Sequence, residues 1–263
     1  LSMITPRDFH THTVYLKCAN DTMTIPAMVA KAQELGIRQL GITDHLNTLE
    51  KLPLHEQIKA DLLALENPGL DIWFGVELNF LGCDGDFAYN EQARDKMGYQ
   101  FAVGGIHGTY CDTYDLKNII DVQHRHHLAT CRNPLVNVVV HPYWFGKGEF
   151  DRQDWPWFDS VRHVPEAYAL ELGQVAKETG TAVEINGSAN LENESNPVGY
   201  VDEYVDYLAA VASTGCTFSL GSDAHDINRM RTALTALDVA ERIGLTDDRV
   251  WTPKMPPLVP AKS

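Results

Sequence analysis

Gln39-Leu40-Gly41-Ile42-Thr43-Asp44-His45 is a short apolar run that ends abruptly in an acid and an imidazole. Runs of the same design lie on either side of it. Residues 8–13 read Asp8-Phe9-His10-Thr11-His12-Thr13, 71–80 carry Glu77, and 100–107 end in Gly104-Gly105-Ile106-His107. Residues 136–141 end in Val140-His141, 182–186 hold Glu184-Ile185-Asn186, and 217–221 lead into Ser222-Asp223-Ala224-His225. Runs of this length, bounded by polar residues, predict strands. Between them the apolar period changes to that of a helix. Thr24 has the character of an N-cap, Pro26 lies in the first turn, and Ile25, Met28, Val29, Ala32 and Leu35 form one face before Gly36. Similar faces are predicted near 53–66, 115–130, 164–179, 198–214 and 229–243. Strand and helix therefore alternate, which implies a parallel sheet covered by helices. Seven units without a Gly-x-Gly-x-x-Gly turn favour a barrel over an open sheet, an α/β fold of distorted (βα)7 TIM-like type.

Size and charge agree with one such unit. The chain has 263 residues, 44% hydrophobic and 22% charged, so it can bury a large core, and 1–263 is expected to be a single domain. No run approaches the roughly 20 apolar residues of a membrane span, and no leader-like apolar core follows the first residues. Five cysteines without a Cys-x-x-Cys spacing do not resemble a disulfide framework. Together these predict a cytoplasmic protein with reduced thiols. The formal net charge of −15 argues against long DNA or RNA as a partner, because backbone phosphates are held by basic surfaces.

The ionisable residues fall at the C-terminal ends of the predicted strands, the face on which barrels build their chemistry. On a strand, residues i and i+2 project to one side, so His10 with His12, and Asp223 with His225, can each aim two donors at a common point. A single His-x-His would be weak, since eleven histidines in this length produce one by chance roughly half the time. A second one does occur, at His124 and His126 next to His127, inside a predicted helix, and is expected to be a solvated helix surface. At the strand ends it is the joint placement that carries the signal. Imidazole and carboxylate donors suit Zn²⁺, Mn²⁺ or Fe²⁺. There are more of them than the roughly four one tetrahedral ion needs, which points to two or three divalent metal ions. Glu77, with two oxygens, is the expected bridge.

With these motifs in hand, Asp-Phe-His10-Thr-His12-Thr, Gly-Ile-Thr-Asp44-His45, Gly-Val-Glu77, Gly-Gly-Ile-His107, Val-His141-Pro142 and Gly-Ser-Asp223-Ala-His225 together resemble the PHP (polymerase and histidinol phosphatase) family over most of the chain. The resemblance implies a trinuclear metal centre and phosphoester hydrolysis. Carried over by position, His10, His12, Glu77 and Asp223 would hold one metal, and Glu77, His107 and His141 a second. The third would take His45, His225 and a histidine eight residues after His10, where this chain has Cys18. Cys18 is then a thiolate ligand, the mark of a weakened third site, or replaced there by a water; its alternative is a small buried apolar residue.

The expected reaction is attack of a metal-bridging hydroxide on a small phosphorylated substrate, helped by the lowered pKa of metal-bound water. Asp223, His225 and Asp44 are the expected catalytic residues, Asp44 by orienting a ligand imidazole rather than by direct action. Lys147 and Arg229 are candidate phosphate contacts, with Asn79 and Asn186 facing the same cavity. Trp144 begins an aromatic segment, 143–158, that either packs on the barrel or overhangs the site to stack on a substrate. Glu184 has no matching role in the family. Two other readings are an amidohydrolase-like enzyme cutting a C–N or lactone bond, and a metal-binding scaffold without activity. Amidohydrolase-type sites usually bridge their metals with a lysine on the fourth strand, where this chain has His107. The leaving group stays open among histidinol phosphate, a nucleotide, a sugar phosphate and a cyclic phosphodiester.

Overall fold

The computed structural model describes residues 4–80 and 87–261. Cys83 and residues 1–3, on which the cysteine and leader expectations partly rest, lie outside them. Seven parallel strands follow one another around a nearly closed barrel: β1 (Arg7–Asp8), β2 (Gln39–Ile42), β3 (Asp71–Asn79), β4 (Phe101–Gly105), β5 (Val138–Val139), β6 (Ala182–Asn186) and β7 (Phe218–Gly221). Between β1 and β7 the seam is held by Phe9 N–H donating to the Leu220 carbonyl at 2.9 Å and Asp223 N–H donating to the His10 carbonyl at 2.8 Å.

Helices fill the crossovers: α1 (Ile25–Glu34), α2 (Leu52–Leu63), α3 (Glu91–Met97), α4 (Leu116–Arg132), α5 (Lys147–Gln153), α6 (Glu166–Thr179), α7 (Tyr200–Ser213) and α8 (Thr232–Arg242). In α1 the expected features are present. Thr24 accepts from Ala27 N–H, Pro26 occupies the first turn, and Ile25, Met28, Val29 and Ala32 are buried. The seven-residue helices α3 and α5 have too few apolar positions to announce themselves by period; α3 is instead defined by an Asn90 cap and a left-handed Gly98.

Two predicted strands prove much shorter than their apolar runs. Beyond Asp8 the chain leaves the regular ladder, because the Asp8 carboxylate accepts the His10 N–H while the His10 carbonyl is used by Asp223. Beyond Val139 the chain turns out through His141, whose φ is +33°, and Glu184 rather than a neighbouring strand accepts its N–H. Both departures occur where the backbone delivers an imidazole.

The N-terminal end of the barrel is plugged by Phe9, Trp73 and Phe101, with Trp251 edge-on to Phe9 at 5.5 Å. Edge-to-face pairs of this kind add about 0.5–1.5 kcal/mol each beyond burial. The segment after Trp251 runs across this end, where Val259 pairs antiparallel with Ile72. Apolar packing thus closes one end and leaves the other to polar groups.

Helix α4 overturns the expectation of a solvated histidine surface. His124, His126 and His127 are all buried. The ring of His124 stacks on Tyr168 at 4.0 Å, and His127 stands edge-on to Tyr143 at 4.7 Å. In this helix the rings of His124 and His127 pack as aromatic discs against α6 and the 143–158 segment, and His124 Nε2 also lies 2.8 Å from Glu171 Oε2.

Candidate metal centre

At the C-terminal end of the barrel, Glu77 is fully buried and its two oxygens face different partners. Oε2 lies 2.9 Å from His45 Nδ1, 3.3 Å from His12 Nε2 and 3.4 Å from His10 Nε2. Oε1 lies 3.0 Å from His107 Nε2 and 3.3 Å from His141 Nε2. Asp223 Oδ1 completes the first group, 3.5 Å from His10 Nε2 and 3.3 Å from His12 Nε2. The expected donors are therefore brought together, and Glu77 stands between the two sets.

The fit to cations follows from what these atoms lack. His10 Nε2 and His12 Nε2 are buried without a hydrogen-bond partner among the described residues, an arrangement that costs several kcal/mol unless a cation faces them. His10 Nδ1 is 2.8 Å from Glu184 Oε1, which as an acceptor fixes the proton on Nδ1 and leaves the Nε2 lone pair turned to the cluster. Burial would lift the Glu77 carboxyl, but His45, His10 and His107 hold it well below the usual carboxylate range. Asp223 is likewise drawn down by His10 and His12 against its burial. Burial, with His45 beside it, pushes His12 down to about 3, so its ring stays neutral. Anionic carboxylates and a neutral imidazole are the ligand-competent forms. His10 itself is lifted well above its ordinary value, because Glu184, Asp223 and Glu77 outweigh its burial. That excess of negative charge is the field an entering cation would meet.

A further set, Cys18 with His12, His45 and His225, has ligand atoms within 4.8 Å of one another. Cys18 is exposed, so its alternative reading as a small buried apolar residue fails.

Glu184, for which no role was foreseen, organises the centre. Besides His10, it accepts the His141 N–H at 2.7 Å and the Asn186 side-chain amide at 2.9 Å. The signal was an acid inside the apolar run 182–186, since a buried carboxylate must have partners. Two glycines make the room. A Cβ on Gly221 would lie 2.2 Å from Glu184 Oε1 and 2.6 Å from the His10 Cβ, and one on Gly105 would lie 2.6 Å from His141 Cε1. His141 and Asp223 both have left-handed φ, +33° and +54°, a strain tolerated because hydrogen bonds to their N–H groups over-determine them.

The remaining expected residues separate. Asn186 Nδ2 donates to Asp223 Oδ2 at 3.2 Å, and Asn79 Oδ1 lies 3.0 Å from His45 Nδ1, so both position candidate ligands. Asp44 does not orient an imidazole. Its Oδ1 accepts from the Thr13 N–H and hydroxyl, and its Oδ2 has no hydrogen-bond partner among the described residues. Burial lifts its carboxyl to about 7. Trp144 and Arg229 line a cavity of about 540 Å³ above the cluster, together with His225, Glu192 and Ser195. Lys147 is not among its lining residues; it pairs with Asp151 and sits 5.3 Å over the Trp157 ring. Of the aromatic segment, Tyr143, Phe145, Phe150 and Phe158 are core residues and only Trp144 reaches the cavity. No lysine lines the cavity among the described residues, and His107 occupies the fourth-strand position. Also among the described residues, no helix is long and apolar enough to cross a membrane.

Comparison with known proteins finds the PHP domain matching residues 8–188. Probable phosphatase YcdX of Escherichia coli (strain K12) is 25% identical over 246 residues, 93% of this chain and 89% of that relative. Among solved structures, the histidinol phosphate phosphatase of Lactococcus lactis subsp. lactis Il1403, complexed with Zn, L-histidinol and phosphate, superposes with a TM-score of 0.58 at 16% identity, covering 92% of this chain and 95% of that one. A histidinol phosphatase homologue from Listeria monocytogenes gives a TM-score of 0.64, again at 16% identity, over 85% and 97% of the two chains. At these identities the superpositions establish a shared barrel.

Proposed function

Since this chain belongs to the PHP domain family, we propose that it is a metal-dependent phosphomonoesterase acting on a small phosphorylated molecule. The observation that carries this reading is Glu77, buried between two groups of imidazoles with one oxygen turned to each. His10, His12, Glu77 and Asp223 would hold one ion, Glu77, His107 and His141 a second, and Cys18, His45 and His225 a third. Zn²⁺, Mn²⁺ and Fe²⁺ all suit the first two sets. When bound, such ions supply Lewis acidity to the phosphoryl oxygens and lower the pKa of water toward neutrality.

The rest of the work belongs to the chain. Glu184 locks the His10 tautomer, Asn79 and Asn186 hold His45 and Asp223 in place, and the buried apolar barrel keeps this array from relaxing. The Arg229 guanidinium, held by the Glu192 carbonyl at 2.9 Å and paired with the Glu192 carboxylate at 3.7 Å, lines the cavity and would offer an anion the donors that Glu192 does not take. Trp144, edge-on to His141 at 5.5 Å, forms an apolar wall beside the reacting group. A cavity of about 540 Å³ fits a metabolite-sized ligand. With a chain charge of −15, a small substrate is favoured over a polyanion such as RNA.

The test is phosphate release by protein reconstituted separately with Zn²⁺, Mn²⁺ or Fe²⁺, across phosphomonoesters of an amino alcohol such as histidinol, of sugars and of nucleosides. Asp223→Asn serves as the control. Release abolished by that substitution supports the reading; no release from fully loaded protein refutes it and turns attention to amides and lactones.

A further inference from the structure

The third set of donors differs in kind from the other two. Around Glu77 every donor is nitrogen or oxygen, whereas Cys18 brings sulfur to His12, His45 and His225. We infer that Cys18 is a thiolate ligand which makes the third site selective for a thiophilic ion such as Zn²⁺, while the Glu77-bridged pair also accepts harder ions such as Mn²⁺. This rests on the metal-centre reading above and specifies its third position.

The placement of the sulfur is built into the chain. Lys17, immediately before Cys18, has a left-handed φ of +60° that ends the short turn Val14–Leu16. The loop is then tied to the segment carrying His225. Asn20 N–H donates to the His225 carbonyl at 2.9 Å, Asn20 Nδ2 to Asp226 Oδ2 at 2.6 Å, and Ile227 N–H to Thr22 Oγ1 at 3.1 Å. Cys18 and His225 are thereby fixed as a pair.

A second observation is independent of the cysteine. His12, in the same set, is fully buried; its Nε2 faces Glu77 and Asp223 of the first set, and its Nδ1 has no hydrogen-bond partner among the described residues. Around it the rings are already disposed as donors. His225 Nδ1 is 3.1 Å from the Asp223 carbonyl, so its proton resides there and the Nε2 lone pair is left for a cation. Sulfur and nitrogen ligands on one tetrahedral zinc stand about 3.5 Å apart, given Zn–S and Zn–N lengths of about 2.3 and 2.0 Å. The donors here lie within 4.8 Å of one another, so shifts of roughly 1 Å bring them to that spacing. Ligation replaces the thiol proton, released to solvent, by the S–metal bond. Thiolates favour Zn²⁺ over Mn²⁺, while imidazole and carboxylate serve both.

Cobalt reports this directly, because a Co²⁺–thiolate bond gives a near-ultraviolet charge-transfer band that nitrogen and oxygen ligands do not. The full chain loaded with Co²⁺ is expected to show the band, Cys18→Ser to lose it, and Cys18→His to lose it while still binding as much Zn²⁺ as the parent. Metal content is expected to be one ion per chain lower with Mn²⁺ than with Zn²⁺. Zn²⁺ should slow alkylation of Cys18, read by peptide mass, by at least about tenfold. A fully loaded chain without the band, a band that survives in Cys18→Ser, Mn²⁺ and Zn²⁺ contents that are equal, or Cys18 alkylated equally fast with and without Zn²⁺ would each overturn the proposal. These readouts need no substrate, so their failure alongside intact phosphate release would leave the phosphatase reading standing, and the reverse result would separate the two equally well.

Discussion

Two groups of histidines in this molecule are buried to the same degree and do opposite things. His10, His12 and His141 at the strand ends, and His124, His126 and His127 on α4, are all 4% exposed or less. Around His10 stand Glu77, Glu184 and Asp223, which lift it well above its ordinary value in spite of burial. Around His127 stand the Tyr143 ring and other imidazoles, and burial, with His124 and His126, drives it well below. Burial alone therefore makes an aromatic packing residue of a histidine. What makes a centre is fixed negative charge and lone pairs converging on a point, which strand ends around a barrel supply from several directions. On α4 the i and i+2 pair, His124 and His126, points about 200° apart instead.

The strongest way to break this contrast is at Glu77. Glu77→Gln keeps the shape but removes the charge shared by both sets of imidazoles. Metal content should fall by at least one ion per chain and phosphate release by roughly 10³-fold, the scale of a single preorganised electrostatic group. If Glu77→Gln kept both its metals and its activity, charge would not be the distinguishing feature.

Glu184 sharpens the same point one step outward, because it touches imidazole and backbone rather than substrate. Glu184→Gln, and Gly221→Ala, whose methyl would press on Glu184 Oε1, should each weaken metal affinity about 10–100-fold. In Glu184→Gln the loss should be larger in metal titrations than in KM at saturating metal. An unchanged metal affinity in both variants would reduce Glu184 to a packing residue.

The strand-end donors were legible because they recur at one position in successive βα units, and a recurring position survives errors of a few residues in each boundary. Glu184 and Gly221 were not, because their roles are set by contacts between β6, β7 and the start of the chain, more than 30 residues apart in sequence. The burial of α4 was misread for a related reason. Histidine is polar by composition, yet its flat ring packs like an aromatic when a tyrosine lies opposite, and Tyr168 and Tyr143 are supplied by other elements. Lys147 and Arg229 were alike as isolated cations; only the fold shows that one lines the cavity and the other lies over Trp157.

Acid should separate the two histidine groups further. His127 binds a proton less readily folded than unfolded, so its contribution to stability is complete above the unfolded value of about 6.5 and is lost as pH falls from there toward its depressed folded value. The loss is on the order of 1.4 kcal/mol per pH unit within that window. His127→Phe removes the titrating group and keeps a ring beside Tyr143. Urea midpoints of parent and variant, compared in the same buffer at pH 7 and pH 5, should converge or cross in the variant's favour on acidification. Parallel pH dependence would mean that His127 takes up its proton without unfolding.

The smallest effect is expected at Lys147, and its smallness is the informative part. Its ammonium pairs with Asp151 one turn along α5 and lies over the Trp157 ring, both at the surface. An exposed cation–π contact contributes about 0.5–1 kcal/mol, and an exposed ion pair adds little to it. Lys147→Met keeps the stem against Trp157 and removes the charge, so the urea midpoint should move only slightly. Because Lys147 does not line the cavity, kcat/KM for a phosphomonoester should stay within about twofold of the parent, less than 0.5 kcal/mol of barrier. A tenfold fall in kcat/KM carried entirely by a rise in KM would instead place its charge on the path of the substrate, and would require the 143–158 segment to move toward the metal centre when substrate binds.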